Sequence, residues 1–274
     1  MTVAPLEDDL DADRYGGKAA QLAAAVRAGL PVPRGLALST ELVQALAADE
    51  SAAAAELERA WSLLRPPLAV RSSAVGEDAE AASFAGQHLT CLNVRSAADG
   101  IEAVKAIWRS GHADSALAYR ERLGLSLRPR VAVVIQELVD ADCAGVLFTR
   151  NPLDGADELV IEASWGLGEA VVTALVTPDR FRLARDGTVL ERVAGEKDLA
   201  VALAAEGGTH EVPIRGERVR ALCLDDRQLA ELVSLAERCG RSFAGGRDLE
   251  WAFGGGALHL LQCRAVTRSC LLAP

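Results

Sequence analysis

The chain has 274 residues, half of them hydrophobic and a quarter charged, which is enough for one large core or two of roughly 100–150 residues and excludes a disordered chain. Its formal charge of −10 excludes a broad nucleic-acid or anionic-membrane footprint, so any phosphate-binding site has to be local. The opening MTVAPLEDDLDAD is acidic where a secretory signal is basic, and no apolar run reaches the ~18–20 residues of a membrane span, so a cytoplasmic protein is expected.

In chain order, Gly16-Gly17 precede an alanine-rich helix, KAAQLAAAVRAG, that stops at Gly29 ahead of Pro31 and Pro33. A second helix is predicted over residues 41–64, ending at Pro66-Pro67, and LAVR (68–71) then reads as a short buried strand with Arg71 at its exit. HLTCLNV alternates as a strand, and residues 99–123 carry helical spacing. RVAVVIQELV (130–139) is the most β-branched run and is predicted to be a central strand. AGVLFT and ELVIEAS follow as strands around the turn-rich RNPLDGAD. Asp225 or Asp226 caps a helix with apolar residues at Leu229, Leu232, Val233, Ala236 and Cys239, and Gly240 is expected to close it. LEWAFGGGALHLLQCRAV reads as a hairpin with a glycine tip. The pattern is α+β with largely antiparallel strands.

The cysteines Cys91, Cys143, Cys223, Cys239, Cys263 and Cys270 form no CxxC pair and lie near no paired histidines, so reduced structural thiols are expected rather than a zinc site or a disulfide framework. His88, His112, His210 and His259 are equally dispersed. GxxxxGK[ST] is absent, and WGLGEAVV carries GxG without the frame of a dinucleotide fingerprint, so Gly166 and Gly168 are read as a turn before a helix near Glu169.

Three stretches point to ligand binding, the first two of them to an anion. LAVRSSAVGEDAEAASFAGQ (68–87) sets Arg71 at a strand end before a run of small residues that exposes backbone N–H groups and hydroxyls, as polyphosphate oxygens require. Gly16-Gly17-Lys18 puts an ammonium in the first turn of a helix, where free N–H groups and the dipole also favour an anion. Gln136-Glu137 passing into Leu138-Val139 is similar to an inter-lobe hinge on which backbone groups meet an adenine.

The terminal hairpin permits a geometric expectation. With a three-residue tip at Gly254, Gly255 and Gly256, Phe253 pairs with Ala257 and Glu250 sits opposite Leu260. Gln262 is then a same-face diagonal neighbour of Glu250 at about 7–8 Å, with Arg264 two residues further along that face. One Mg²⁺ bridges an acid and an amide so placed, and a loop one residue shorter breaks the alignment.

Taken together, the ordered motifs GGK, VRSSA, GED, ASFAGQ, QELV, GVLFT with NP, SWGLGE, LEW and QCR resemble the N-terminal ATP-binding domain of the phosphoenolpyruvate synthase family, shared with pyruvate phosphate dikinase and rifampin phosphotransferase. The resemblance runs from Gly16 to about Thr267 and implies an ATP-grasp fold of two lobes, residues 1–137 and 138–274, with the nucleotide cleft between them. By the same resemblance Lys18 and Arg71 hold phosphates, Gly86 and Thr90 lie along the loop over the nucleotide, and Gln136, Glu137 and Val139 meet adenine. Glu250 and Gln262 bind Mg²⁺, and Arg264 joins them on the triphosphate of ATP. Lys18, Arg71 and Arg264 are then the catalytic cations. The family's QARP or QSRP is here Gln262-Cys263-Arg264-Ala265, without the proline. None of the histidines sits in the Thr-Ser-His context of the family's phospho-accepting domain, and His88 is expected to be a local substitution.

The expected function is an ATP-dependent phosphotransferase acting on a histidine of a separate partner protein, with release of AMP and phosphate, or directly on a small molecule. An ATP-grasp ligase forming an acyl-phosphate and a non-catalytic nucleotide-binding subunit are the alternatives. Neither nucleic acid nor membrane is an expected partner.

Overall fold

The computed structural model describes residues 2–76, 89–122, 124 and 126–265. The chain forms two compact units: Met1–Arg27 with Pro33–Leu138 and Ala205–Gly208, and Ala28–Val32 with Val139–Ala204 and Thr209–Pro274.

The first unit runs β1 (Val3–Pro5), α1 (Ala12–Arg27), β2 (Gly35–Leu38), α2 (Thr40–Ala47), α3 (Ser51–Trp61), β3 (Leu68–Ala74), β4 (Thr90–Val94), α4 (Ala97–Gly111), α5 (Asp114–Arg122) and β5 (Val131–Glu137). Its strands form one antiparallel sheet in the order β1-β2-β5-β3-β4. The β-branched run is the middle strand because it is apolar on both faces. Val131, Val133 and Ile135 join Leu68 and Val70 in a core with Leu42, Leu57 and Val104 of the helices, while α1 packs over β3 and β5.

Two expected helices are each broken into a pair. Residues 41–64 form α2 and α3 because Asp49 takes a left-handed conformation (φ 58°), which a short polar side chain tolerates. Ser39 caps the first of them, accepting the Leu42 N–H. Residues 99–123 divide into α4 and α5, where His112 leaves helical geometry and its Nδ1 lies 2.8 Å from the Trp108 carbonyl.

The second unit runs β6 (Cys143–Phe148), β7 (Leu159–Trp165), α6 (Glu169–Val172), β8 (Asp179–Leu183), β9 (Val189–Val193), β10 (Leu199–Leu203), β11 (Thr209–Pro213), α7 (Asp226–Ser242), β12 (Arg247–Gly254) and β13 (Ala257–Ala265). Six strands make an antiparallel sheet in the order β13-β12-β6-β7-β8-β9, and β10 and β11 form a separate ribbon. Leu249, Trp251, Leu147, Ile161 and Phe181 bury one face of the larger sheet. Asp225 caps α7 in a capping box with Gln228, and the apolar stripe of that helix is buried as its spacing predicts. Gly240 does not close α7. The helix continues to Ser242, and the Phe243 N–H still bonds the Cys239 carbonyl.

Two buried charge clusters pin this unit. Asp179 and Lys197 form a fully buried ion pair, and the same carboxylate accepts the N–H groups of Gly195 and Cys223 at 2.8 Å each. In the loop before β7, Glu158 accepts from Asn151 Nδ2 at 2.6 Å and from Arg182 through two bonds of 2.9 Å. The Arg182 guanidinium holds the Glu158 carboxyl below its ordinary range. A depressed carboxylate stabilises the fold above its unfolded pKa and loses that contribution as pH falls through the folded one. Glu158→Gln should therefore cost about 1.5–3 kcal/mol at pH 7, with the wild-type and variant urea midpoints converging as the pH falls below about 4.

Candidate nucleotide site

In the first unit the two proposed phosphate cations sit on neighbouring elements. α1 is kinked at Gly16 (φ 79°, ψ 164°), so a new helix starts behind it with Lys18 in its first turn. That conformation is open only to glycine here, since a Cβ would fall 1.8 Å from the Ser73 carbonyl oxygen. The Ser73 hydroxyl donates to the Tyr15 carbonyl at 2.8 Å and accepts the Ala19 N–H at 3.0 Å. Arg71 lies two residues before Ser73 on β3, hence on the same face of the strand. Lys18 and Arg71 are 7% and 9% exposed, each with further interactions of its own. Thr90 is directly opposite Arg71 on β4. Gly86, and with it residues 77–88 of the small-residue loop, lies outside the described residues.

Gln136 shares the α1 face of the sheet through its pairing with Ala69, and it is 2% exposed. Its side-chain amide donates to the Pro33 carbonyl at 3.3 Å. The Glu137 carboxylate accepts the Arg65 N–H, and the backbone N–H groups of Glu137 and Leu138 donate to the carbonyls of Arg34 and Pro67. Val139 opens the second unit and packs against Gly254, where a Cβ would stand 2.6 Å from its methyl group.

The hairpin of the second unit departs from expectation in two places. Its tip has two residues, Gly255 and Gly256, both at positive φ (57° and 78°), and Gly254 pairs with Ala257. Pairing then continues to Trp251 opposite Leu260, in a register that puts Glu250 against Leu261 and sends Gln262 to the other face. A β-bulge intervenes: Leu261 is the extra residue, and beyond it Glu250 stands directly opposite Gln262 and Asp248 directly opposite Arg264. The acid and the amide thus share a face as direct partners, closer than the diagonal expected.

Sequence reasoning missed Asp248, although the period of a strand is the signal that finds it, two residues before Glu250. Arg264 Nε donates to Asp248 Oδ2 at 2.7 Å, while Asp248 Oδ1 is buried and accepts no hydrogen bond among the described residues. Burial pushes its carboxyl up, against the pull of Arg264. The same face extends across the sheet through Val146 to Glu162 and Arg180. Cys263, between Gln262 and Arg264, points to the opposite, buried side, where its thiol contacts Cys239 of α7.

The donor set fits a hard divalent cation, which takes one or two protein carboxylates and fills its other positions with water and phosphate oxygens. Glu250 and Gln262 offer two oxygens on one face, and the orphaned Asp248 oxygen beside them is the kind of buried atom a cation satisfies. Among the described residues no three His, Cys, Asp or Glu side chains cluster as an all-protein metal cage.

A family model described as "Pyruvate phosphate dikinase, AMP/ATP-binding domain" matches residues 37–270. A probable phosphoenolpyruvate synthase of Methanothermobacter thermautotrophicus is 41% identical over 206 residues, 73% of this chain and 29% of that protein. Rifampicin phosphotransferase of Streptomyces sviceus is 39% identical over 221 residues, 80% of this chain and 25% of that protein. The uncharacterized phosphotransferase YvkC of Bacillus subtilis is 32% identical over 276 residues, 92% of this chain and 33% of that protein. The solved structure of PH1788 from Pyrococcus horikoshii aligns over 94% of each chain at 12% identity with a TM-score of 0.49, too distant a likeness to bear on function. The chain belongs to the AMP/ATP-binding domain family of pyruvate phosphate dikinase. Membership carries with it the ATP-grasp fold, and the two α+β units with their antiparallel sheets accord with it. The chain spans about a quarter to a third of the length of these relatives.

Proposed function

We propose that the chain binds Mg-ATP and acts as a phosphotransferase. The observation that carries this reading is the direct pairing of Glu250 with Gln262 beside the Asp248–Arg264 pair, an acid and an amide for Mg²⁺ with a cation for the phosphates on one face. Lys18, at a helix start, and Arg71, on the adjoining strand, are the phosphate-holding cations of the first unit in this reading. In phosphoryl transfer little covalent chemistry falls to the protein, so these residues act by holding the phosphates in line and offsetting charge that develops on them. Glu250 and Gln262 would hold Mg²⁺, which when bound neutralises phosphate oxygens. Thr90 and Gly86 border the phosphates in this reading, and the backbone from Gln136 through Glu137 to Val139 receives the adenine.

The acceptor is a histidine on a separate protein or a small molecule taken directly, and the setting is the cytoplasm. The described cysteines are free thiols, in keeping with a reducing compartment. No described helix is long and apolar enough to cross a membrane.

Incubating the purified chain with Mg-ATP, alone and with candidate acceptors, and separating the nucleotides tests the reading. AMP with phosphate is expected for the histidine route and ADP for direct transfer to a small molecule. Bound but unconverted ATP would leave a nucleotide-binding module, and ADP formed only when an amine and a carboxylate condense would mark a ligase.

A further inference from the structure

We infer that Ser73 is a positioning residue for Lys18, locking the helix that bears this lysine onto the strand that bears Arg71. The inference rests on the Mg-ATP reading above.

A helix start leaves its first N–H groups without intrahelical acceptors, and normally the N-cap side chain supplies one to the third helical residue. Behind the kink the N-cap position is Gly16, which has no side chain. Ser73, 54 residues away in sequence from Ala19, takes its place: its Oγ accepts the Ala19 N–H at 3.0 Å, the bond an N-cap serine would make to that position. The hydroxyl proton goes to the Tyr15 carbonyl at 2.8 Å, so one fully buried group ties down both sides of the kink. Lys18 is the residue immediately before Ala19, and Arg71 shares Ser73's face of β3. One side chain therefore fixes the backbone under one cation to the strand carrying the other. The close approach of Gly16 to the Ser73 carbonyl holds the same junction from the backbone side. Two cations meeting one polyphosphate need this fixed spacing more than either needs its own charge strengthened.

The experiment uses Ser73→Ala together with Ser73→Cys, which fills the same space with a poor acceptor and guards against a variant that does not fold. Amine acylation by acetic anhydride, followed site by site by mass spectrometry in the absence of nucleotide, should proceed about five- to tenfold faster at Lys18 in both variants, with Lys105 unchanged as the internal reference. By calorimetry the Kd for Mg-ATP should rise about tenfold while that for adenosine, which lacks the phosphates, stays within about twofold. Unchanged Lys18 reactivity in both folded variants overturns the inference, as does an equal loss of ATP and adenosine affinity, the mark of a general structural role. If the wild-type chain binds neither nucleotide, the Mg-ATP reading falls instead, and the acylation rates alone decide whether Ser73 holds Lys18.

Discussion

Asp179→Asn should lower the unfolding free energy by about 3–5 kcal/mol, a large share of the 5–15 kcal/mol typical of a folded protein. Asp179 and Lys197 are both fully buried, and the two carboxylate oxygens serve the lysine and the N–H groups of Gly195 and Cys223. An asparagine keeps one acceptor and turns the other into a donor, leaving a buried ammonium without its counter-charge and one partner without a bond. Adding Lys197→Met to Asp179→Asn should return part of the loss, because it removes the stranded charge. Urea unfolding of the two variants checks both statements, and a loss below about 1 kcal/mol for the single variant would mean that the pair contributes little net stability.

Glu250→Gln should reduce Mg²⁺-dependent turnover of ATP by about 10²–10³-fold, the size of effect that follows removal of one group stabilising transition-state charge. The glutamine preserves the shape and one acceptor oxygen but not the charge a hard cation requires. Glu250 is only half-buried on the polar face of its sheet, so the variant's unfolding midpoint should stay close to wild type. Raising Mg²⁺ should restore part of the rate, since the remaining oxygen donors bind the ion more weakly. Turnover equal to wild type at low Mg²⁺ would remove Glu250 from the metal site.

The residues proposed to do chemistry were legible one at a time, because each stands in a local pattern with a physical signature. A lysine behind two glycines at a helix start, an arginine in an apolar strand, and an acid and an amide flanking a glycine tip each declare themselves over a few residues. Arg71 nevertheless stands in the middle of β3 and not at its exit, because Ser72, Ser73 and Ala74 go on pairing with β5. Breaks inside helices were less legible. Asp49 and His112 leave helical geometry through backbone angles that composition alone does not dictate, whereas Gly240 is held inside α7 by the packing of the stripe before it.

The terminal hairpin separates the two kinds of knowledge most clearly. Alternation correctly placed Glu250 and Gln262 on one face, yet from the wrong loop length. The two-residue tip is the one whose twist suits the strands, and it inverts the register that the bulge at Leu261 then restores. By itself the sequence determined the family motifs, the central β-branched strand, the acidic overall charge and the capped, amphipathic α7. Only the tertiary structure decided that Asp248 meets Arg264, that Asp179 buries Lys197, and that a serine on β3 caps the helix of Lys18. The physical reason is range: periodicity and capping act within a few residues, while these bonds join groups brought together only when sheet register and helix packing are complete.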